Sequence, residues 1–130
     1  DNHWTFTATA TQTLGRVLDR DEPLSHIPPF FAKADLGYEQ EKWSVGVYAL
    51  YNDTKLSRET GPGRTDNADQ GINGAFPSWQ TYHFRSAVQV DERIVVRFIV
   101  NNITDVHYKG FASGIAAPGR NLSLTVRYAI

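Results

Sequence analysis

The chain has 130 residues, 41% of them hydrophobic and 21% charged, with a formal net charge of -1. That balance suits one folded unit and excludes a disordered tail, and the absence of any Lys/Arg block removes the electrostatic footprint of a nucleic-acid binder. Cysteine is absent, which excludes disulfide scaffolds, thiolate zinc sites and cysteine nucleophiles.

In chain order, the first predicted element is a strand in which Trp4, Phe6, Ala8 and Ala10 interleave with a ladder of Thr5, Thr7, Thr9 and Thr11. Side chains alternate sides along a strand, so such a segment has one apolar and one polar face. Phe30, Ala32, Ala34, Leu36 and Tyr38 then alternate with Phe31, Lys33, Asp35, Gly37 and Glu39, and Trp43, Val45, Val47, Ala49 and Tyr51 alternate with Ser44, Gly46, Tyr48 and Leu50. Tyr82, Phe84, Val88 and Val90 alternate with His83, Arg85, Ala87 and Gln89, and Ile94, Val96, Phe98 and Val100 with Val95, Arg97, Ile99 and Asn101. The final segment is the most regular: Leu122, Leu124, Val126, Tyr128 and Ile130 against Asn121, Ser123, Thr125, Arg127 and Ala129. The reading is all-β, with about six antiparallel up-and-down strands of roughly 9 to 11 residues.

The connections fall into two alternating classes. Glu39 to Lys42 and Asp91-Glu92 read as tight turns, whereas Leu14 to Pro29, Asn52 to Ser78 and Asn102 to Gly119 are long and rich in Gly, Pro, Asn, Asp and Ser. Up-and-down order puts the turns on one edge and the long loops on the other, the pattern of an outer-membrane barrel. Such a protein needs no run of about 18 apolar residues, and none is present. Aromatics near strand ends (Trp4, Tyr38, Trp43, Tyr51, Tyr82, Tyr128) are expected in interfacial girdles. A soluble β-sandwich binding carbohydrate or protein through its long loops also alternates, with its apolar face in a shared core. Mid-strand Arg85, Arg97 and Arg127 on the polar face and the loop asymmetry favour the membrane reading.

Three blocks in order carry a family resemblance. Ile27-Pro28-Pro29 leads into a strand containing Gly37-Tyr38; Asn102-Ile103-Thr104-Asp105-Val106-His107-Tyr108 follows the penultimate strand; Pro118-Gly119-Arg120 opens the last strand. Together they resemble the C-terminal end of TonB-dependent outer-membrane receptors, with Thr104 where that family usually has Phe and Ile130 where it has a terminal aromatic. The resemblance implies that residues 1–130 are about the last six strands of a 22-stranded transmembrane β-barrel, without the plug domain. It further implies a receptor in the bacterial outer membrane, importing a ferric siderophore or haem with energy from the TonB complex, which engages the plug region. Outer-membrane lipid is the expected partner of the apolar face. An isolated six-stranded sheet would expose two unpaired edges and pair with copies of itself or aggregate.

His83, Arg85 and Arg97 share the polar face and read either as a cationic patch guiding an anionic ligand or as a self-satisfied wall network. His26 and His107 fall in loops, where a neutral imidazole could ligate haem iron or simply be solvated. Arg64 sits in the longest loop, which could close over ligand as a lid or be a plain surface loop. Asp66, Asn67, Asp69 and Gly71 faintly suggest a calcium loop, but Ala68 stands where an oxygen ligand is needed. Nucleophile-elbow, zinc-protease and phosphate-loop motifs are absent, so neither an enzyme nor a cofactor site is expected.

Overall fold

A computed structural model describes residues 3–62 and 66–130; Arg64 lies outside the described residues. Six long strands form one antiparallel sheet: β1 (His3–Thr11), β4 (Phe31–Glu39), β5 (Trp43–Asn52), β6 (Trp79–Gln89), β7 (Ile94–Asn101) and β8 (Asn121–Tyr128), side by side in that order. Within the first loop, β2 (Arg16–Val17) and β3 (Glu22–Pro23) make a small separate ladder. Two short 3-10 turns, Ser57–Glu59 and Ala68–Gln70, lie in the second loop. No helix among the described residues is long and apolar enough to cross a membrane, which says nothing about strands.

The register converts the sequence alternation into two continuous faces. Phe6 pairs with Leu36, Leu36 with Val47, and Val47 with Phe84, which pairs with Val100, itself opposite Leu122. Every residue in this row points to the same side, and the rows above and below repeat it. No charged side chain falls on this face of the six strands. The substantial contacts between strands are all between hydrogen-bonded neighbours, so a second sheet does not cover it. Phe6 is 69% exposed and Leu124 70%. A monomer in water rarely exposes an apolar surface of this extent. A sandwich requires a second packed sheet, and among the described residues the only other ladder of named strands is the two-residue β2–β3 pair.

Turn placement holds β4–β5 and β6–β7 together at one edge. Gln40 N–H donates to Trp43 O there, and Asp91 Oδ1 accepts the N–H groups of Arg93 and Ile94. At this edge Trp4, Tyr38 and Trp43 gather on the apolar face, with ring centroids 4.7 Å and 5.6 Å apart. Phe30 and Tyr51 meet at the opposite edge, 6.2 Å apart. Tyr82 does not sit at a strand end: β6 begins three residues earlier, at Trp79, and Tyr82 faces Ala49 within the sheet.

The three long loops cluster over the second edge, where Phe76, the one buried large hydrophobic among the described residues, is 1% exposed and meets Phe111 edge-on at 5.4 Å. Buried Asp66 joins the first two loops by accepting the N–H groups of His26 (2.7 Å) and Gly61 (2.6 Å). Asn67 Nδ2 donates to Ala112 O, and Lys109 Nζ to Gln70 O, tying the second loop to the third.

Candidate functional site

On the polar face, one row of the sheet reads Thr7, Asp35, Tyr48 and His83, with Asn101 and Asn121 continuing it. Tyr48 and His83 stack with centroids 4.2 Å apart and ring planes 4° from parallel. The Tyr48 hydroxyl donates to Asn101 Oδ1 (3.1 Å), and Asn101 Nδ2 donates to Asn121 Oδ1 (3.1 Å). His83, only 7% exposed, accepts the Asn102 N–H at Nδ1 (3.3 Å). Nδ1 also lies 3.1 Å from Asn101 Oδ1, and Nε2 lies 2.9 Å from Thr81 Oγ1.

The next row explains two strand glycines. Arg85 is in register with Gly46, which is in register with Gly37, which faces Thr5. The guanidinium lies across this track: a Cβ on Gly46 would come within 3.1 Å of Arg85 Cζ, and one on Gly37 within 2.9 Å of Thr5 Oγ1. Without those side chains Arg85 reaches Asp35 with a two-point contact, Nη1 to Oδ2 at 2.5 Å and Nη2 to Oδ1 at 2.7 Å. Planar fork-to-fork pairing of this kind combines two charge-assisted hydrogen bonds. Lys33 Nζ is 3.8 Å from the same carboxylate and 5.1 Å from the Tyr48 ring centroid. The polar groups of this patch therefore bind one another, with Arg85 and Lys33 sharing one carboxylate. Sequence reading singled out His83 and Arg85 but missed Asp35 and Tyr48, and the available signal was a strand glycine on the polar face, which marks close approach by another group.

Arg97 is not part of that network. It stands opposite Ala87 on β6 and Thr125 on β8, exposed, and no hydrogen bond or ion pair forms at its side chain among the described residues.

At the loop edge, the motif blocks prove to be a structural knot. Asn102, 3% exposed and at φ 51°, spans the turn with both ends of its carboxamide: Nδ2 donates to Val106 O and Oδ1 accepts Val106 N–H, each at 2.9 Å. Asp105 Oδ1 accepts the Arg120 N–H at 2.7 Å, and a Cβ on Gly119 would stand 2.6 Å from that oxygen. Tyr108 packs on Trp79 at 4.1 Å between centroids. Asn, Asp, Tyr and Gly-Arg at these spacings thus close the β7–β8 connection.

Two cavities open among the loops. One, of about 750 Å³, runs between the first and second loops and is bordered by Leu14, Arg16, Pro29, Lys55 and Arg58. The other, of about 360 Å³, is lined by Ile72, Phe76, Trp79, His107, Tyr108 and Lys109. His107 is exposed at its rim. His26 lies apart from it, with Nδ1 3.3 Å from Asp66 Oδ1. No group of three His, Asp or Glu suited to a metal ion forms among the described residues.

The sheet combines one-sided loops with two unlike faces, the arrangement of a strand-built barrel wall. No protein-family model matches the chain, and no curated protein matches it. Solved structures do. The copper transporter OprC aligns over 96% of this chain and 21% of its own length, with a TM-score of 0.79 and 18% identity. The ferric-catecholate import receptor Fiu from E. coli K12, in its closed form, aligns over 96% of this chain and 18% of its own length, with a TM-score of 0.66 and 16% identity. The chain thus spans about a fifth of the length of the solved structures it matches. At these identities the likeness establishes the fold alone: an all-β, antiparallel sheet that superposes on part of each of these two structures.

Proposed function

We propose that residues 1–130 are the C-terminal wall of a TonB-dependent receptor barrel in the bacterial outer membrane, acting in energised uptake of a ferric siderophore or haem. The observation that carries this reading is the uncharged face running unbroken across six strands, left uncovered by the rest of the chain, with every long loop on one edge. Lipid is the solvent such a face fits. The sequence blocks and the fold likeness support the same assignment, and the copper and ferric-catecholate cargoes in the neighbours' names support a metal or metal-chelate cargo. TonB would act through a plug region that is not among these residues, and the barrel would have 22 strands.

Within this reading the six strands supply a polar lumen wall rather than catalytic groups. Ligand contact falls to the loop edge, with His107 at the rim of the smaller cavity, and to Arg97 on the wall, with His26 and Arg64 as further candidates in the loop sequences. His83 and Arg85 contribute by fixing the wall. The test is accumulation of radiolabelled ferric chelate or haem by Gram-negative cells expressing the protein, with and without TonB. Uptake that requires both the protein and TonB is expected; uptake indifferent to TonB contradicts the proposal.

A further inference from the structure

Charge on the polar face is distributed unevenly. On β4 and β6 the cations have an acid within reach, Arg85 and Lys33 sharing Asp35, and at the turn edge Glu39 Oε2 lies 3.6 Å from His3 Nε2. On β7 and β8 the face carries Arg97 and Arg127, with no acid on either strand. Arg97 pairs with Thr125 and Arg127 with Val95, so the two arginines are diagonal neighbours on one face. Such positions are about 7–8 Å apart, within reach of two long side chains, and like charges placed together across strands repel.

The same-face strand neighbours of Arg97 follow from the register. Beside it on β6 are Arg85, Ala87 and Gln89, on β8 Ser123, Thr125 and Arg127, and along its own strand Val95 and Ile99. None is an acid. A further strand added at the free edge of β8 could approach Arg127, but β8 itself separates that strand from Arg97. An anion that meets Arg97 therefore approaches from above the polar face. Ser44, Ala87 and Thr125 are small, leaving a shallow floor beside the two guanidinium groups.

We infer that Arg97 and Arg127 form a binding site for an oxyanion, a carboxylate or phosphate, presented from the space in front of the β7–β8 polar face. Two guanidinium forks on adjacent strands suit the planar or multidentate oxygens of these groups better than ammonium groups would. The oxyanion can belong to a diffusible anion or to an acidic side chain of a protein segment seated on the wall. The inference uses only the charge pattern of this face, and stands whether or not the opposite face meets lipid.

The test uses the 130-residue chain in detergent micelles with 15N-labelled arginine, titrated separately with inorganic phosphate and with hexaglutamate. Saturable shifts of the Arg97 and Arg127 Nε–Hε signals are expected, lost in Arg97→Gln/Arg127→Gln and kept in Lys33→Gln. Saturation by phosphate assigns the site to a diffusible anion, and saturation by hexaglutamate alone to a protein carboxylate. Thr125→Glu, which places a carboxylate opposite Arg97, is expected to abolish the response to either probe while raising the melting temperature. Absence of a saturable shift with both probes overturns the inference, as does binding that survives the double substitution or Thr125→Glu.

Discussion

The two faces of this sheet are built from the same strands, one residue out of step, yet they obey opposite rules. The face bearing Phe6, Leu36, Val47 and Phe84 carries no charge and is covered by no second sheet among the described residues. The face bearing Asp35, Tyr48, His83 and Arg85 binds its polar groups to one another at close range. In a lone sheet in water, either face could tolerate a charge. The difference teaches that the surroundings of the strands, rather than their backbone pairing, dictate the alternation.

The largest way to break this contrast is to put a charge on the wrong side. Val47→Lys is expected to destabilise insertion into lipid by about 2–4 kcal/mol, measured by urea titration of the chain refolded with vesicles; the same substitution at Thr7 should cost far less. Asn102→Ala removes both carboxamide bonds across the β7–β8 connection from a buried residue. A loss of about 2–3 kcal/mol follows from the unsatisfied Val106 backbone groups, read in the same titration. Asp35→Ala strips the partner from Arg85, which lies half-buried over Gly46. The cost expected is about 1–3 kcal/mol, between the values for exposed and buried pairs, and Arg85→Gln in the same background should recover part of it. Arg97→Gln sharpens the contrast from the other end: unpaired and exposed, it should change stability by no more than about 0.5 kcal/mol.

Much of the fold was legible in the sequence because period-two alternation is strong over nine or ten residues, and two tight turns fix the register. The β7 boundaries and the start of β8 match those read from the pattern. β6 starts earlier than expected because Gln80, an apolar-face position filled by a polar residue, hides the alternation before Tyr82. The β2–β3 ladder is only two residues long, too short for any periodic signal, and shows itself only through Leu24 N–H bonding Gly15 O and Arg16 gripping Asp21. The polar network was half legible. His83 and Arg85 stand out as charged or titratable groups mid-strand, whereas Asp35 becomes their partner only once the β4–β5 turn sets Asp35 beside Tyr48. His26 joining Asp66 across 40 residues depends on loop packing that no local pattern encodes.

The central claim is that the uncharged face meets hydrocarbon. A chain without cysteine admits single spin labels at will: one set at Phe6, Val47 and Val126, another at Thr7, Thr9 and Ser123, each in the protein reconstituted into lipid vesicles. Electron paramagnetic resonance should report the first set as accessible to oxygen and shielded from a water-soluble nickel chelate, and the second set as the reverse. Equal nickel access at both sets would contradict the account.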